Sequence, residues 1–212
     1  MDIIHPAAQG YAEKYSREED QLLRQVADET ISSHQHAHML SGYLQGKFLQ
    51  IFSKVLQPRY VLEIGTFTGY SALCLVQGIQ PDGQLHTIEM REEDAQKAKG
   101  YFNRSAYKDS IVLHQGNAKD IIPQLAYDWD LVFLDADKTG YLDYYKLLMP
   151  VLKSGAVLLA DNVLFHGQVL ESVVTGKNAK AIQAFNDYVV ADESVETVML
   201  TVRDGLMLIR KK

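Results

Sequence analysis

The 212-residue chain has little cysteine, no excess of basic residues and no long apolar run. Its single cysteine, Cys74, excludes an internal disulfide, so we expect a reducing, cytoplasmic location and a buried thiol. No segment is apolar for long enough to span a bilayer, and residues 1–20 do not resemble a signal peptide, so we expect no membrane association. The formal net charge of −6 argues against nucleic acid as a general partner.

Proline-rich and serine-rich linkers are also absent, and 47% of the side chains are hydrophobic. This composition predicts one domain over residues 1–212 with one large core. Residues 17–31 and 40–56 show helical periodicity, so residues 1–57 are predicted to form a helical cap before the sheet. Three histidines in this cap stand at i, i+2 and i+4, a spacing that does not place them on one helical face. We therefore expect a solvated loop or helix cap there and not a zinc site; the histidines are His34, His36 and His38.

The stretch RYVLEIGTFTGYS, residues 59–71, combines an apolar run with a glycine turn. The run predicts a buried parallel strand that ends near Gly65. Gly69 permits a tight turn, and a helix is predicted from Tyr70 to Gln77. A strand, a glycine turn and a helix form half of a nucleotide-type βαβ unit, in which ligands bind at the carboxyl ends of the strands.

The next predicted strand, residues 84–90 (QLHTIEM), ends in an acidic residue, Glu89, about twenty residues after Gly69. A carboxylate at this place can accept hydrogen bonds from both hydroxyls of a ribose. The spacing from Glu63 through Gly65 to Gly69 lacks the second glycine of dinucleotide-binding turns, which favours a nucleoside without a diphosphate. The alternative is a glycine turn in another kind of α/β sheet with Glu89 merely solvated.

Two further stretches, DLVFLDADK (residues 130–138) and AVLLADN (residues 156–162), each contain an apolar strand that ends in aspartate. These aspartates are Asp135 and Asp161. Adjacent parallel strands bring their last residues to one edge, so Asp135, Asp161 and Asn162 can converge there. Three hard oxygen donors suit Mg²⁺, with Ca²⁺ or Mn²⁺ as alternatives. Acidic residues at strand ends also commonly cap the next helix, and that interpretation stays open.

Two smaller features carry a functional hypothesis. The turn from Gly116 through Asn117 to Ala118 follows a short predicted strand, residues 111–114, and lies where an adenine would extend from the ribose site. Asn117 is equally well explained as a turn or cap residue. Gly42 and Gly46 interrupt an otherwise helical pattern, which indicates close packing or close approach of a ligand.

Taken in order and spacing, VLEIGTFTGYS, IEM, GNAKDIIPQL, FLDADKTGYLDYY and LLADNVLFHG resemble the cation-dependent O-methyltransferases of the catechol and caffeoyl-coenzyme A O-methyltransferase family. The resemblance runs from Met39 to the C-terminus, and DADK and the DN-containing loop are more similar to the caffeoyl-coenzyme A and bacterial branch. It implies a single-domain, Rossmann-like α/β class I methyltransferase fold. The expected sheet has seven mostly parallel strands with an antiparallel C-terminal strand, and helices on both faces.

The resemblance also implies residue roles. The expected contacts of S-adenosylmethionine are Met39, Ser41, Glu63, Gly65, Phe67, Ser71, Glu89, Met90, Asn117, Ala118 and Asp135. Asp135, Asp161 and Asn162 are the expected ligands of Mg²⁺, and Lys138 and Asp135 the expected catalytic residues, with Lys138 as general base. The C-terminal TVRDGLMLIRKK keeps the family's Asp-Gly pair but lacks the proline and glycine that often precede it, so the role of Arg203 stays open.

The chemistry implied is methyl transfer to a hydroxyl of a small vicinal diphenol. A cation lowers the pKa of a bound hydroxyl, and it should also lower the pKa of a neighbouring Lys138. The alternative for Lys138 is a surface lysine without a catalytic role. The substrate pocket is expected to be bordered by residues 163–176 and by Tyr141, Tyr144 and Tyr145. Members of the resembled family are often homodimers, so the resemblance implies a homodimer here as well. The alternatives are a transfer RNA hydroxyuridine O-methyltransferase of the same family and a nucleoside-binding module without turnover.

Overall fold

The computed structural model describes residues 4–212, which contain a seven-stranded sheet of order β3-β2-β1-β4-β5-β7-β6. All pairings from β3 through β5 are parallel, and β7 runs antiparallel to both of its neighbours. The fold prediction, including the antiparallel C-terminal strand, is confirmed. The strands are β1 (Tyr60–Ile64), β2 (Gln84–Glu89), β3 (Ile111–Gln115), β4 (Leu131–Leu134), β5 (Val157–Asp161), β6 (Val195–Leu200) and β7 (Leu206–Lys211).

Helices cover both faces of this sheet. One face packs against α2, α3, α4 and α5, and the other against α7 and α8, so two apolar clusters sandwich the central strands. Burial on both faces explains why β4 and β5 are almost continuous apolar runs. The helices are α1 (Pro6–Lys14), α2 (Gln21–Ser33), α3 (Tyr43–Leu56), α4 (Tyr70–Leu75), α5 (Glu92–Phe102), α6 (Ala118–Ile121), α7 (Tyr141–Leu148) and α8 (Lys177–Ala191).

The register of the parallel strands aligns their carboxyl ends. Ile64 lies opposite Ile88 in β2 and Leu134 in β4, and Leu134 in turn lies opposite Ala160 in β5. The residues that follow these positions therefore meet along one edge of the sheet, as expected for ligand sites in parallel α/β sheets.

The N-terminal helices differ from their predicted bounds. The predicted start of α2 at residue 17 is wrong, because the Asp20 carboxylate accepts from the backbone N–H of Leu23 at 2.9 Å and begins the helix at Gln21. Helix α3 begins at Tyr43 and not at residue 40, since Gly42 has a φ of 74°. The first helix, α1, was not predicted.

Two expectations about single side chains have opposite outcomes. Cys74 is buried in the core, as predicted, and burial raises the pKa of its thiol. His34 is the C-cap of α2, which confirms the helix-cap alternative, whereas a solvated position is wrong for this histidine because its side chain is only 5% exposed. Its Nε2 lies 2.8 Å from Asp94 Oδ1. Over residues 4–212, no helix is both long and apolar enough to cross a membrane.

Candidate active site

A cavity of about 720 Å³ opens at the carboxyl ends of β1, β2, β4 and β5. Its volume lies in the range of small-molecule binding pockets. All but one of the predicted site residues line it, and residues as far apart in sequence as His38 and Arg203 meet there. The predicted residues on its wall are Met39, Ser41, Gly65, Phe67, Ser71, Glu89, Met90, Asn117, Ala118, Asp135, Lys138, Asp161 and Asn162.

Gly65 lets the tips of three strands approach one another. Its φ is 100°, and a Cβ at this position would collide with the backbone carbonyl of Asp135. Its N–H donates to the carbonyl of Ile88 at 3.0 Å. Only glycine fits this backbone conformation so close to the carbonyl of Asp135. The turn after β1 therefore lies between the Glu89 side and the Asp135 side of the cavity.

Glu89 is held in a fixed orientation at the end of β2. The backbone N–H of Phe67 donates to its Oε2 at 2.7 Å, and the N–H of Arg91 donates to its Oε1 at 2.9 Å. Glu89 is only 6% exposed, which contradicts the alternative of a merely solvated carboxylate. Carboxylate oxygens have further lone pairs, so both remain able to accept hydroxyl groups.

Glu63 is the exception among the predicted residues, because its side chain is fully buried beneath the cavity and does not line it. Thr87 donates to its Oε2 at 2.5 Å, and its Oε1 has no partner among the described residues. Burial raises the pKa of this carboxyl to about 8 against the opposing effect of the hydrogen bond from Thr87. The structure thus places Glu63 beneath the cavity wall, bonded to Thr87 of β2.

Asp161 and Asn162 end β5 on the opposite side of the cavity. Asp161 accepts from its neighbour's backbone N–H at Oδ1 (2.8 Å) and from the Gln45 amide at Oδ2 (2.7 Å). Burial, and next the negative charge of Asp135, raise the pKa of Asp161 to about 6. The Nδ2 of Asn162 donates to Asp204 at 3.3 Å. The two carboxylates therefore share one wall closely enough to repel each other.

Lys138 lies within this wall and is not a surface lysine, since its side chain is 14% exposed. Its Nζ is 2.8 Å from Asp135 Oδ1 and 2.7 Å from the hydroxyl of Tyr141. Burial disfavours the ammonium form, but the nearby negative charge, Asp135 first, outweighs it, and the pKa of Lys138 is raised above its usual value. The expected lowering of this pKa depends on a bound cation and stays a prediction.

The chemistry of the predicted ligands fits a hard divalent cation. A site of three or more His, Cys, Asp or Glu side chains is not found among residues 4–212, and the predicted set has only two such side chains, with an asparagine as the third ligand. The predicted ligands are two carboxylates and one amide, and all three lie on the cavity wall. Carboxylate and amide oxygens are the donors that Mg²⁺ and Ca²⁺ prefer, with substrate oxygens or water completing the shell.

Backbone strain is concentrated at this cavity. Six described residues other than glycine have positive φ, and one of them, Gln57, caps α3. Such conformations cluster at functional sites, where the surrounding structure holds them in place. The other five all line the cavity: Phe67, Asn162, Phe165, His166 and Arg203.

The sequence prediction both missed and overcounted residues. Of the three tyrosines expected at the substrate pocket, only Tyr144 lines the cavity, while Tyr141 and Tyr145 are buried in the core between the sheet and α8. Gln45 and Arg203 were not assigned a role, yet Gln45 contacts Asp161 and Arg203 lines the cavity. The glycine pattern around Gln45 was the available signal, because it indicated close packing of this helix near the site.

A seven-stranded sheet with β7 antiparallel inside it, and a cavity across the carboxyl ends of its parallel strands, define the class I methyltransferase fold. A profile of the O-methyltransferase family matches residues 13–212. The catechol O-methyltransferase of Niastella koreensis is 31% identical over 160 residues, which cover 74% of this chain and 72% of the relative. The caffeoyl-CoA O-methyltransferase 1 of Eucalyptus globulus is 30% identical over 93% of this chain and 84% of its own length.

Solved structures agree with this assignment. The O-methyltransferase TomG from Streptomyces achromogenes, solved in complex with S-adenosylmethionine, has a TM-score of 0.88 and 26% identity, covering 97% of this chain and 96% of that chain. The chain belongs to the O-methyltransferase family. The predicted resemblance to the catechol and caffeoyl-coenzyme A enzymes is confirmed, and so is the prediction of a methyltransferase.

Proposed function

We propose that this enzyme transfers the methyl group of S-adenosylmethionine to one hydroxyl of a small vicinal diphenol, with the help of a divalent cation. The observation that carries the proposal is one cavity lined by a fixed ribose-type acceptor, Glu89, by the buried carboxylate of Asp161, and by the half-buried Asp135 and Lys138. The relatives named for catechol and caffeoyl-CoA support a phenolic substrate. A binding module has no need for the second half of this cavity.

The nucleoside end of the donor would lie against Glu89. Its carboxylate is oriented by two backbone N–H groups, so it can accept the ribose hydroxyls without reorganising. Neighbouring residues on the same wall offer apolar and polar contacts to an adenine: Phe67, Met90, Asn117 and Ala118. The methionine end would extend towards Met39, Ser41, Gly65 and Ser71 on the other side of the glycine turn.

Asp135, Asp161 and Asn162 would hold the cation. When bound, a divalent cation lowers the pKa of an acceptor hydroxyl and orients both oxygens of a diphenol. Lys138 would take the proton at Nζ if a bound cation lowered its pKa, and its position on the same wall, in contact with Asp135 and Tyr141, supports this role. Because a sulfonium methyl is already activated, alignment of the reacting groups is the main task of the protein, for which roughly 7 to 11 kcal/mol is attainable.

Methyl transfer from labelled S-adenosylmethionine tests this function. The purified chain is incubated with catechol or a caffeoyl-type acceptor, in Mg²⁺ or in EDTA, and in parallel with transfer RNA that carries or lacks hydroxyuridine. The proposal expects transfer to the diphenol in Mg²⁺ only. Transfer that persists in EDTA contradicts the role of the cation, and transfer to hydroxylated transfer RNA alone favours the related nucleic acid activity. Donor binding without any transfer favours the module without turnover.

A matched pair of variants locates the cation. Asp161→Ala should remove the Mg²⁺-dependent transfer while the dissociation constant for S-adenosylmethionine stays within about twofold. Asp187→Ala, at an exposed carboxylate on α8, should leave both quantities unchanged. Full activity of the Asp161 variant refutes its role as a ligand.

A further inference from the structure

The turn between β6 and β7, residues 201–205, reaches two of the proposed cation ligands through hydrogen bonds, Asn162 directly and Asp161 by way of Gln45. Because β7 pairs antiparallel with β5, Leu206 lies opposite Asp161, and the turn reaches the carboxyl end of β5. Two consecutive residues in this turn, Arg203 and Asp204, have side chains directed towards the cavity wall. Arg203 has a φ of 50°, an uncommon conformation that this turn fixes.

Arg203 determines which way a buried amide points. Its Nη1 donates to the Oε1 of Gln45 at 3.0 Å, and its Nη2 donates to the carbonyl of Leu40 at 3.0 Å. A guanidinium can only donate, so the amide atom that faces it must be the oxygen. The other amide atom of Gln45, Nε2, then donates to Asp161 Oδ2 at 2.7 Å. Gln45 is 1% exposed, so water does not compete for either contact.

Asp204 determines the orientation of the second amide. Its Oδ2 accepts from Nδ2 of Asn162 at 3.3 Å, and its Oδ1 accepts from the backbone N–H of His166 at 2.6 Å. An ionised carboxylate only accepts, so the nitrogen of the Asn162 amide faces Asp204. Its oxygen, the atom that binds hard cations, therefore faces away from Asp204.

We propose that Gln45, Arg203 and Asp204 are positioning residues that orient the oxygen donors of Asp161 and Asn162 for the cation. The proposal rests on the cation dependence proposed above. The hydrogen bonds that orient the ligands come from α3 and from the turn between β6 and β7. Hydrogen-bonded partners of metal ligands fix the ligand orientation, and their loss typically lowers metal affinity 10- to 100-fold. Gln45 and Asp204 are such hydrogen-bonded partners of the proposed ligands, and Arg203 acts through Gln45.

Gln45→Met is the first test, because methionine has a similar size but offers no amide. Titration calorimetry with Mn²⁺, in the presence of S-adenosylhomocysteine, should show a dissociation constant raised at least about 10-fold. The dissociation constant for S-adenosylmethionine without metal should stay within about twofold. Gln50→Met is the matched control, since this buried glutamine on the same helix bonds to Gln77 and not to the cavity; its Mn²⁺ affinity should be unchanged.

A double-mutant cycle separates action through Gln45 from a merely structural role. Arg203→Lys should weaken Mn²⁺ binding in the wild-type background but add little in the Gln45→Met background, because its route to Asp161 is already lost. If Arg203→Lys lowers Mn²⁺ affinity equally in both backgrounds, Arg203 does not act on Asp161 through Gln45, and this part of the proposal is wrong. Arg210→Lys controls for replacing an arginine by a lysine, because Arg210 pairs with Glu196 on the surface, and it should leave Mn²⁺ affinity unchanged.

Asp204→Asn tests the second amide and serves if Gln45→Met does not fold. An amide at 204 offers one acceptor to two converging donors, so Mn²⁺ affinity should again fall about 10-fold or more. If wild type binds Mn²⁺ and both the Gln45 and Asp204 variants bind it equally well, this inference is wrong and the proposed function stands. If wild type binds no Mn²⁺, the proposed cation dependence and this inference are both wrong.

Discussion

Truncation of Glu89 should weaken donor binding by an amount that the structure allows us to bound. A hydrogen bond to a charged group contributes about 1 to 3 kcal/mol, and Glu89→Ala removes the acceptor of the ribose hydroxyls. The dissociation constant for S-adenosylmethionine, measured by titration calorimetry, should therefore rise about 5- to 150-fold. An unchanged constant refutes the assignment of Glu89 to the ribose.

The same substitution has a separate effect on stability. It leaves the backbone N–H groups of Phe67 and Arg91 without their acceptor, and Phe67 is 9% exposed. A buried donor without a partner costs about 1 to 3 kcal/mol, which urea unfolding should detect. Glu92→Ala, at an exposed carboxylate in the first turn of α5, is the control, and it should change donor affinity by less than twofold.

Three other predictions concern catalysis, acid stability and packing. Lys138→Met should lower kcat about 10²- to 10⁴-fold. Lys138→Arg should be equally impaired because arginine does not release its proton. Activity in the arginine variant would show that Lys138 contributes only its positive charge and is not the general base. Burial lowers the pKa of His86 to about 4, so the unfolded chain binds this proton more readily. Its stabilisation is present above pH 6.5 and is lost as the pH falls towards 4, by at most about 3 kcal/mol, and urea unfolding of His86→Phe should show a smaller pH dependence than wild type. Gly46→Ala should destabilise by about 1 to 3 kcal/mol, because its Cβ would lie 2.6 Å from the buried ring of Tyr70, whereas Gly100→Ala has open space and should stabilise the exposed helix by up to about 1 kcal/mol; equal thermal shifts for these two variants would contradict the packing argument.

Local patterns predicted the central elements well and the N-terminal ones poorly. Strand β2, predicted over residues 84–90, spans Gln84–Glu89, because its apolar run coincides with burial along its length. Helix α1 has no buried residue, so its sequence carries no apolar stripe from which it could be predicted. The start of α2 depended on the single capping interaction of Asp20, which periodicity does not register.

The site was predictable where topology alone decides it. Parallel strands deliver their last residues to one edge, so Glu89, Asp135 and Asp161 could be assigned from sequence. Gln45 could not, because its contact with Asp161 joins residues 116 positions apart and depends on how α3 docks. The position of Glu63 below the cavity wall could not be predicted, because it depends on the contact of its side chain with Thr87 of the neighbouring strand β2.

The proposal depends most on whether one cation lies between the ends of β4 and β5, within reach of the donor site. Crystals grown with Mn²⁺ and S-adenosylhomocysteine test this directly through an anomalous difference map. We expect a single peak within about 2.0 to 2.6 Å of oxygens from Asp135, Asp161 and Asn162, with the nucleoside bound against Glu89. No peak at this position, in crystals whose nucleoside site is filled, would contradict the account.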